Sequence, residues 1–188
     1  MNERITLVAV FNEVDNDKIY NITNVTDELL CKVPFGKNVT DRITVDTLPY
    51  HFTISAWDIE NKEFIIEKLD KITFSDFDLD IDTIEIREAK EDSYLLCFNI
   101  IVNDELRKLQ AMIYNVFPTE KYNPDKFKFH ITITVDKDYE KIAGIKKQLD
   151  KVFNPFKINV SCIKLFEIYP ANLVKEINAV NIKKTCAN

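Results

Sequence analysis

The chain contains two histidines, His51 and His130, and both open the same short pattern: His51-Phe52-Thr53-Ile54 and His130-Ile131-Thr132-Ile133. An unperturbed imidazole titrates near 6.5, so close to neutrality one ring of a pair can accept a proton while the other donates one. A histidine followed two positions later by a hydroxyl suits a β-strand, where residues i and i+2 lie about 6–7 Å apart on one face. Strict alternation puts His51, Thr53 and Ser55 on one face and Phe52, Ile54 and Ala56 on the other. It likewise groups His130, Thr132 and Thr134 against Phe129, Ile131 and Ile133. Lys126 and Lys128 fall on the His130 side and make it locally positive. Each strand then packs its apolar side inward and presents an imidazole with hydroxyls to a cleft.

The elements that position these groups recur. The two histidines lie 79 residues apart. The helical segment after each ends in the same triplet, Leu69-Asp70-Lys71 and Leu149-Asp150-Lys151. Phe74-x-x-Phe77 and Phe153-x-x-Phe156 follow, and then two series of apolar residues at strand spacing. Two copies are too few for a solenoid and predict two similar lobes about a pseudo-twofold axis. Strands are expected over Ile5–Asn12, Tyr50–Ala56, Phe77–Ile81, Ile84–Ile86, Tyr94–Val102 and Phe127–Val135. Lys157–Tyr169 reads as a strand or hairpin arm, and Leu173–Ile182 closes the sheet. Helices are expected over Asp58–Lys71, from Asp104 to the stop at Pro118, and over Tyr139–Phe153. A short helix capped by Thr26 and a polar loop from Pro34 to Pro49 lie between the first two strands.

Composition removes several alternatives. There are two glycines in 188 residues, Gly36 and Gly144, so no glycine-rich phosphate loop exists and dinucleotide-binding and P-loop readings fail. A formal net charge of −6 disfavours coating of long nucleic acids but is compatible with a short nucleotide or one nucleic-acid end in a locally basic cleft. Cys31, Cys97, Cys162 and Cys186 include no Cys-x-x-Cys pair, which leaves a zinc knuckle or redox motif without support. The widely spaced cysteines and the absence of a leader or long apolar stretch predict a soluble, cytoplasmic protein with no membrane partner. Two histidines without a paired acidic motif make a poor metal site, and a monomer without metal or cofactor is expected. The aspartates Asp76, Asp78, Asp80 and Asp82 read as the solvated face of a strand, and Trp57 as a packing residue.

The paired His-apolar-Thr-apolar segments in a duplicated small protein resemble the 2H phosphoesterase superfamily, which includes 2′-5′ RNA ligase-like proteins and cyclic phosphodiesterases. The resemblance spans essentially the whole chain through the repeat, although its specific content is four residues and their spacing. It implies an α+β fold: two pseudo-symmetric lobes of antiparallel sheet with outer helices around a central cleft, in a single bilobal domain over 1–188. It further implies that His51 and His130 form the acid/base pair and that Thr53 and Thr132 bind phosphoryl oxygens. Lys128, Ser55 and Thr134 are the candidate substrate-binding residues. The expected activity is metal-independent hydrolysis of a 2′,3′-cyclic phosphate, a cyclic nucleotide or a 2′-5′ linkage. The partner would be a small nucleotide or an RNA end. Which histidine is the base stays open. The competing readings are a non-catalytic nucleotide- or RNA-end-binding module with the same cleft, and a structural protein whose repeat merely builds two sheets.

Overall fold

A computed structural model describes residues 4–24, 50–168 and 171–180. The strands are β1 (Arg4–Val10), β2 (His51–Asp58), β3 (Phe77–Glu88), β4 (Tyr94–Ile101), β5 (His130–Asp136), β6 (Phe156–Val160), β7 (Cys162–Ile168) and β8 (Asn172–Asn178). The α-helices are α1 (Glu13–Thr23), α2 (Lys62–Leu69), α3 (Asp104–Val116) and α4 (Tyr139–Leu149). The expected short helix at Thr26 and the Pro34–Pro49 loop lie outside the described residues.

All eight strands form one antiparallel sheet in the order β6-β3-β4-β5-β2-β1-β7-β8. The two expected lobes are the halves of this sheet, and they meet where β2 lies beside β5. There the ladder is a single residue pair, Phe52 with Ile131. The repeat is longer than the sequence pattern indicates. β1-α1-β2-α2-β3 corresponds to β4-α3-β5-α4-β6/β7, and the copies exchange their last strands. Thus β3 pairs with β4 of the second copy, while β7 pairs with β1 of the first. The segment expected as one arm from Lys157 to Tyr169 breaks at Ser161 and serves both halves, β6 beside β3 and β7 beside β1. Conversely, the two short strands expected between Phe77 and Ile86 are one strand with an irregularity between Ile81 and Thr83.

Every helix packs on the same face. Ile19, Ile65, Leu69, Leu106, Leu109, Ile113, Ile142, Ile145 and Leu149 share one buried cluster with Ile5, Leu7, Phe52, Ile54, Leu96, Phe98 and Ile131. The repeated Leu-Asp-Lys triplets mark equivalent helix ends, with buried Leu69 and Leu149 closing the helices and Asp70 and Asp150 at the C-caps. α3 ends at Val116 because Phe117, the residue before Pro118, is extended (φ −152°, ψ 91°). α1 has no strong apolar stripe: Val14 and Tyr20 are exposed and Ile19 alone is a buried large hydrophobe. It is held by polar contacts instead. Asn12 caps it by accepting from the Asp15 N–H at 2.8 Å, and the buried Asp15 carboxylate accepts from the Asn159 N–H on β6 at 2.9 Å.

Phe52 is fully buried at the junction, 5.5 Å from Phe129 in an edge-on contact and 6.1 Å from Phe11. Phe52→Ala should therefore cost about 3–5 kcal/mol of unfolding free energy, because a large buried ring is lost where the halves have little other contact. Denaturant titration of the two proteins measures it; a difference below about 1 kcal/mol would mean that the junction is not built on this packing.

Candidate active site

The opposite face of the sheet bears no described α-helix. Cross-strand partners share a face, so the ladders sort the side chains without ambiguity. On the first half His51 lies opposite Val10 and Thr53 opposite Val8, and these valines are excluded from the helix-side cluster. On the second half His130 lies opposite Asn99 and Thr132 opposite Cys97. Around the junction pair, antiparallel register sets His51 toward Thr132 and Thr53 toward His130. The histidines are diagonal neighbours, with backbones about 7–8 Å apart and β-carbons somewhat closer where such a ladder is regular. That is a gap two imidazoles can close on a phosphate between them. His51 is buried, while His130, Thr53 and Thr132 are half-buried.

Ser55 and Thr134 do not join them. In β1–β2 the pairing steps from Thr53–Val8 to Ser55–Leu7, leaving Ile54 as an extra residue. In β4–β5 it steps from Thr132–Cys97 to Thr134–Leu96, leaving Ile133 extra. Each is a β-bulge, and it reverses the alternation beyond it. Ser55 and Thr134 consequently share the helix-side face with Leu7 and Leu96 and are buried at 3% and 6% exposure. The expectation that they bind substrate beside the threonines is corrected by these paired bulges. The same reversal carries Trp57 to the helix-side core, where its indole N–H donates to the Phe117 carbonyl at 3.1 Å. Beyond the bulge it is Ala56 and Asp58 that return to the histidine face, opposite Thr6 and Arg4.

Lys128 is exposed on the approach to β5 and contributes through its backbone. Its carbonyl lies 3.0 Å from His130 Nδ1. A carbonyl only accepts, so Nδ1 carries the hydrogen and Nε2 is left to take or give a proton. Arg87 on β3 is a residue that sequence patterning missed. Its guanidinium donates to the same carbonyl at 3.4 Å and to Asn99 Oδ1 at 2.9 Å, and Asn99 in turn donates to Asp82 at 2.9 Å. The only sequence signal was alternation along Ile84–Ile86, which continues to place Arg87 opposite the core face.

Burial pushes the His130 pKa below the ordinary imidazole value of 6.5. The Lys128 carbonyl opposes that shift, and the Arg87 and Lys121 charges add to it. Neutral His130 is thus the resting form near pH 7. The Cys97 thiol beside Thr132 is pushed up to about 11 by burial, which makes it a poor nucleophile. The aspartate series lies on the solvated face of β3: Asp78 and Asp80 are exposed between buried Phe77, Leu79 and Ile81, and Asp80 pairs with Lys157 at 2.8 Å. No cluster of three or more His, Cys, Asp or Glu side chains suited to a metal occurs among the described residues. No described helix is long and apolar enough to cross a membrane.

A family model described as LigT like Phosphoesterase matches residues 101–173, a span that contains His130-Ile131-Thr132-Ile133. Among solved structures, E. coli LigT in apo form aligns with a TM-score of 0.61 at 13% identity, covering 96% of this chain and 99% of that one. E. coli LigT complexed with 3′-AMP aligns at 0.59 and 11% identity, with the same coverages. Usb1 from Kluyveromyces marxianus aligns at 0.50 and 8% identity, over 92% of this chain and 97% of that chain. At such identities the structures establish a shared fold. No curated protein sequence gives a significant match. The family model thus matches the second copy, and the solved structures share the fold over nearly the whole length, so the chain is similar to LigT-like phosphoesterases.

The Arg87 contact yields a test. Arg87→Gln removes a positive charge that favours neutral His130, so the imidazole midpoint should move up toward the ordinary value. Histidine-selective NMR titration reads this directly, and an unchanged or lower midpoint would show that Arg87 does not act on His130. Linkage carries the same sign. A depressed folded-state pKa means that the unfolded chain binds the proton more readily, so stability is fully present above 6.5 and is lost as pH falls through the His130 midpoint.

Proposed function

We propose that the chain is a phosphodiesterase that resolves a 2′,3′-cyclic phosphate or related nucleotide ester by two-histidine acid–base catalysis. The observation that carries this reading is the convergence of His51, Thr53, His130 and Thr132 on one face at the junction of the half-sheets. His130 is the base. Its Nδ1 hydrogen is engaged by the Lys128 carbonyl, and burial with nearby Arg87 and Lys121 keeps the ring neutral, so Nε2 can take a proton from water or a ribose hydroxyl. His51 donates to the leaving oxygen. Thr53 and Thr132 stabilise charge on the non-bridging oxygens as the phosphorane-like state forms.

The relatives are consistent with a nucleotide as the ligand, since one E. coli LigT structure holds 3′-AMP and another ATP. No step needs a metal, and the cations around His130 make it an unfavourable neighbour for a divalent ion. The enzyme is expected to act as a monomer in the cytoplasm, as one domain.

The test is turnover of a 2′,3′-cyclic nucleotide with chelator present. Each of His51→Ala and His130→Ala should lower the rate about 10²–10⁴-fold, because each removes one proton-transfer partner. Thr53→Val and Thr132→Val should cost about 1–3 kcal/mol of transition-state stabilisation each. The acidic limb of kcat/KM should fall below pH 6.5, following the lowered His130 midpoint, although both limbs belong to the coupled pair. Binding without turnover would select the non-catalytic module, and loss of activity on chelation would refute the mechanism.

A further inference from the structure

Next to the histidine face, past the bulge on β2, lies a pocket of about 360 Å³ that the proposed chemistry does not use. Its lining includes Arg4 from β1, Lys90 from the β3–β4 turn, and Thr119, Lys121 and Tyr122 from the segment before β5. Ala56 and Asp58, the β2 residues that the bulge returns to the histidine face, line it too. Trp57 and Phe117 line it from the helix side, so the pocket lies at the end of β1 and β2 and adjoins the histidine face through Ala56 and Asp58. From Val8, opposite Thr53, to Arg4 is four residues, about 13 Å along the strand. Lys121 lies close enough for its charge to act on His130.

The pocket holds polar groups without partners. Arg4 Nε and Thr119 Oγ1 are buried and unpartnered. So is Thr6 Oγ1, one step along β1 toward the histidines on a residue only 7% exposed. These are three of the four such atoms among the described residues. Buried donors are normally satisfied, and an unsatisfied one costs about 1–3 kcal/mol. Arg4 and Lys121 are near enough to repel. The Lys121 ammonium, on a side chain that still reaches solvent, has its pKa lowered by partial burial and by the Arg4 charge. Neither has an ion pair among the described residues, and Lys121 instead sits 5.1 Å over the Tyr122 ring. The exposed rim carboxylates Asp58 and Glu120 also line the pocket but form no ion pair with either cation. Like charges and unused donors converge, an arrangement that an oxyanion with several acceptor oxygens would satisfy.

We propose that this pocket is a second phosphate subsite, in which Arg4, Lys121 and Thr119 hold a phosphate of the substrate adjoining the ribose whose phosphate reacts between the histidines. The proposal rests on the two-histidine reading and narrows its substrate class to molecules with a second phosphate on the 5′ side of that ribose. This phosphate is either a 5′-monoester or the internucleotide diester of an RNA end.

Three substrates separate the cases: a nucleoside 2′,3′-cyclic phosphate, its 5′-phosphorylated form, and a dinucleotide ending in a 2′,3′-cyclic phosphate. The wild type should prefer the second or third over the first by about tenfold or more in kcat/KM, and added salt should erode that preference. The preferred one identifies which phosphate the subsite takes. In Lys121→Gln and Arg4→Gln the preference should collapse to within about threefold. Lys121 lies on an exposed turn, so its variant remains informative should Arg4→Gln fail to fold. Turnover of the first substrate with no preference for the others, or a preference unchanged in the variants, overturns the subsite. If none of the three is turned over, the proposed activity fails and calorimetry decides the subsite separately. Tighter binding of a nucleoside 3′,5′-bisphosphate than of the 3′-monophosphate, lost in Lys121→Gln, supports it; equal binding overturns it.

Discussion

The structure depends on how two half-sheets meet at the seam between β2 and β5. The ladder there is one residue pair, Phe52 with Ile131, backed on the helix side by the Phe52–Phe129 contact. Because the strands run antiparallel, that pair sets His51 toward Thr132 and Thr53 toward His130, so each half supplies one imidazole and one hydroxyl to the same place. A slip of one residue in either strand would turn that strand's imidazole and hydroxyl into the core. Hydrophobic burial on one face thus determines which groups meet on the other. Exchange of the last strands, β3 and β7, between the copies ties the halves together beyond the seam.

The paired bulges are the second constraint. Each inserts one residue, Ile54 or Ile133, directly after the His-x-Thr segment and reverses the pattern from there on. The site consequently ends at the threonine in both copies. On β2 the bulge buries Ser55 and Trp57 under the helices and brings Ala56 and Asp58 onto the histidine face. That reversal carries this face toward the pocket containing Arg4 and Lys121. Around His130 the charges act together: Arg87 steadies the Lys128 carbonyl and, with Lys121, favours the neutral ring.

Much of this was legible in the sequence where one period ran unbroken. The His-apolar-Thr pairs and the helices ending in the Leu-Asp-Lys triplets follow from local alternation and helical spacing, while the α+β class came from the family resemblance those segments carry. Ser55 and Thr134 were misplaced because a bulge is a property of two paired strands, and period-two reading assumes none. α1 was missed because Asn12, Asp15 and Asn159 hold it rather than an apolar stripe. Arg87 and Arg4 carried no motif. Their relevance arises only when β3 and β1 are laid beside the histidine strands, and sequence spacing does not show which strands exchange.

The central claim is that both imidazoles serve a single phosphate. With two histidines in the chain, histidine-selective NMR during titration with a nucleoside 2′- or 3′-monophosphate tests it most directly. The account predicts that both ring signals move with one shared dissociation constant and that His130 keeps its hydrogen on Nδ1. A response from only one histidine, or two responses with separate affinities, would contradict it.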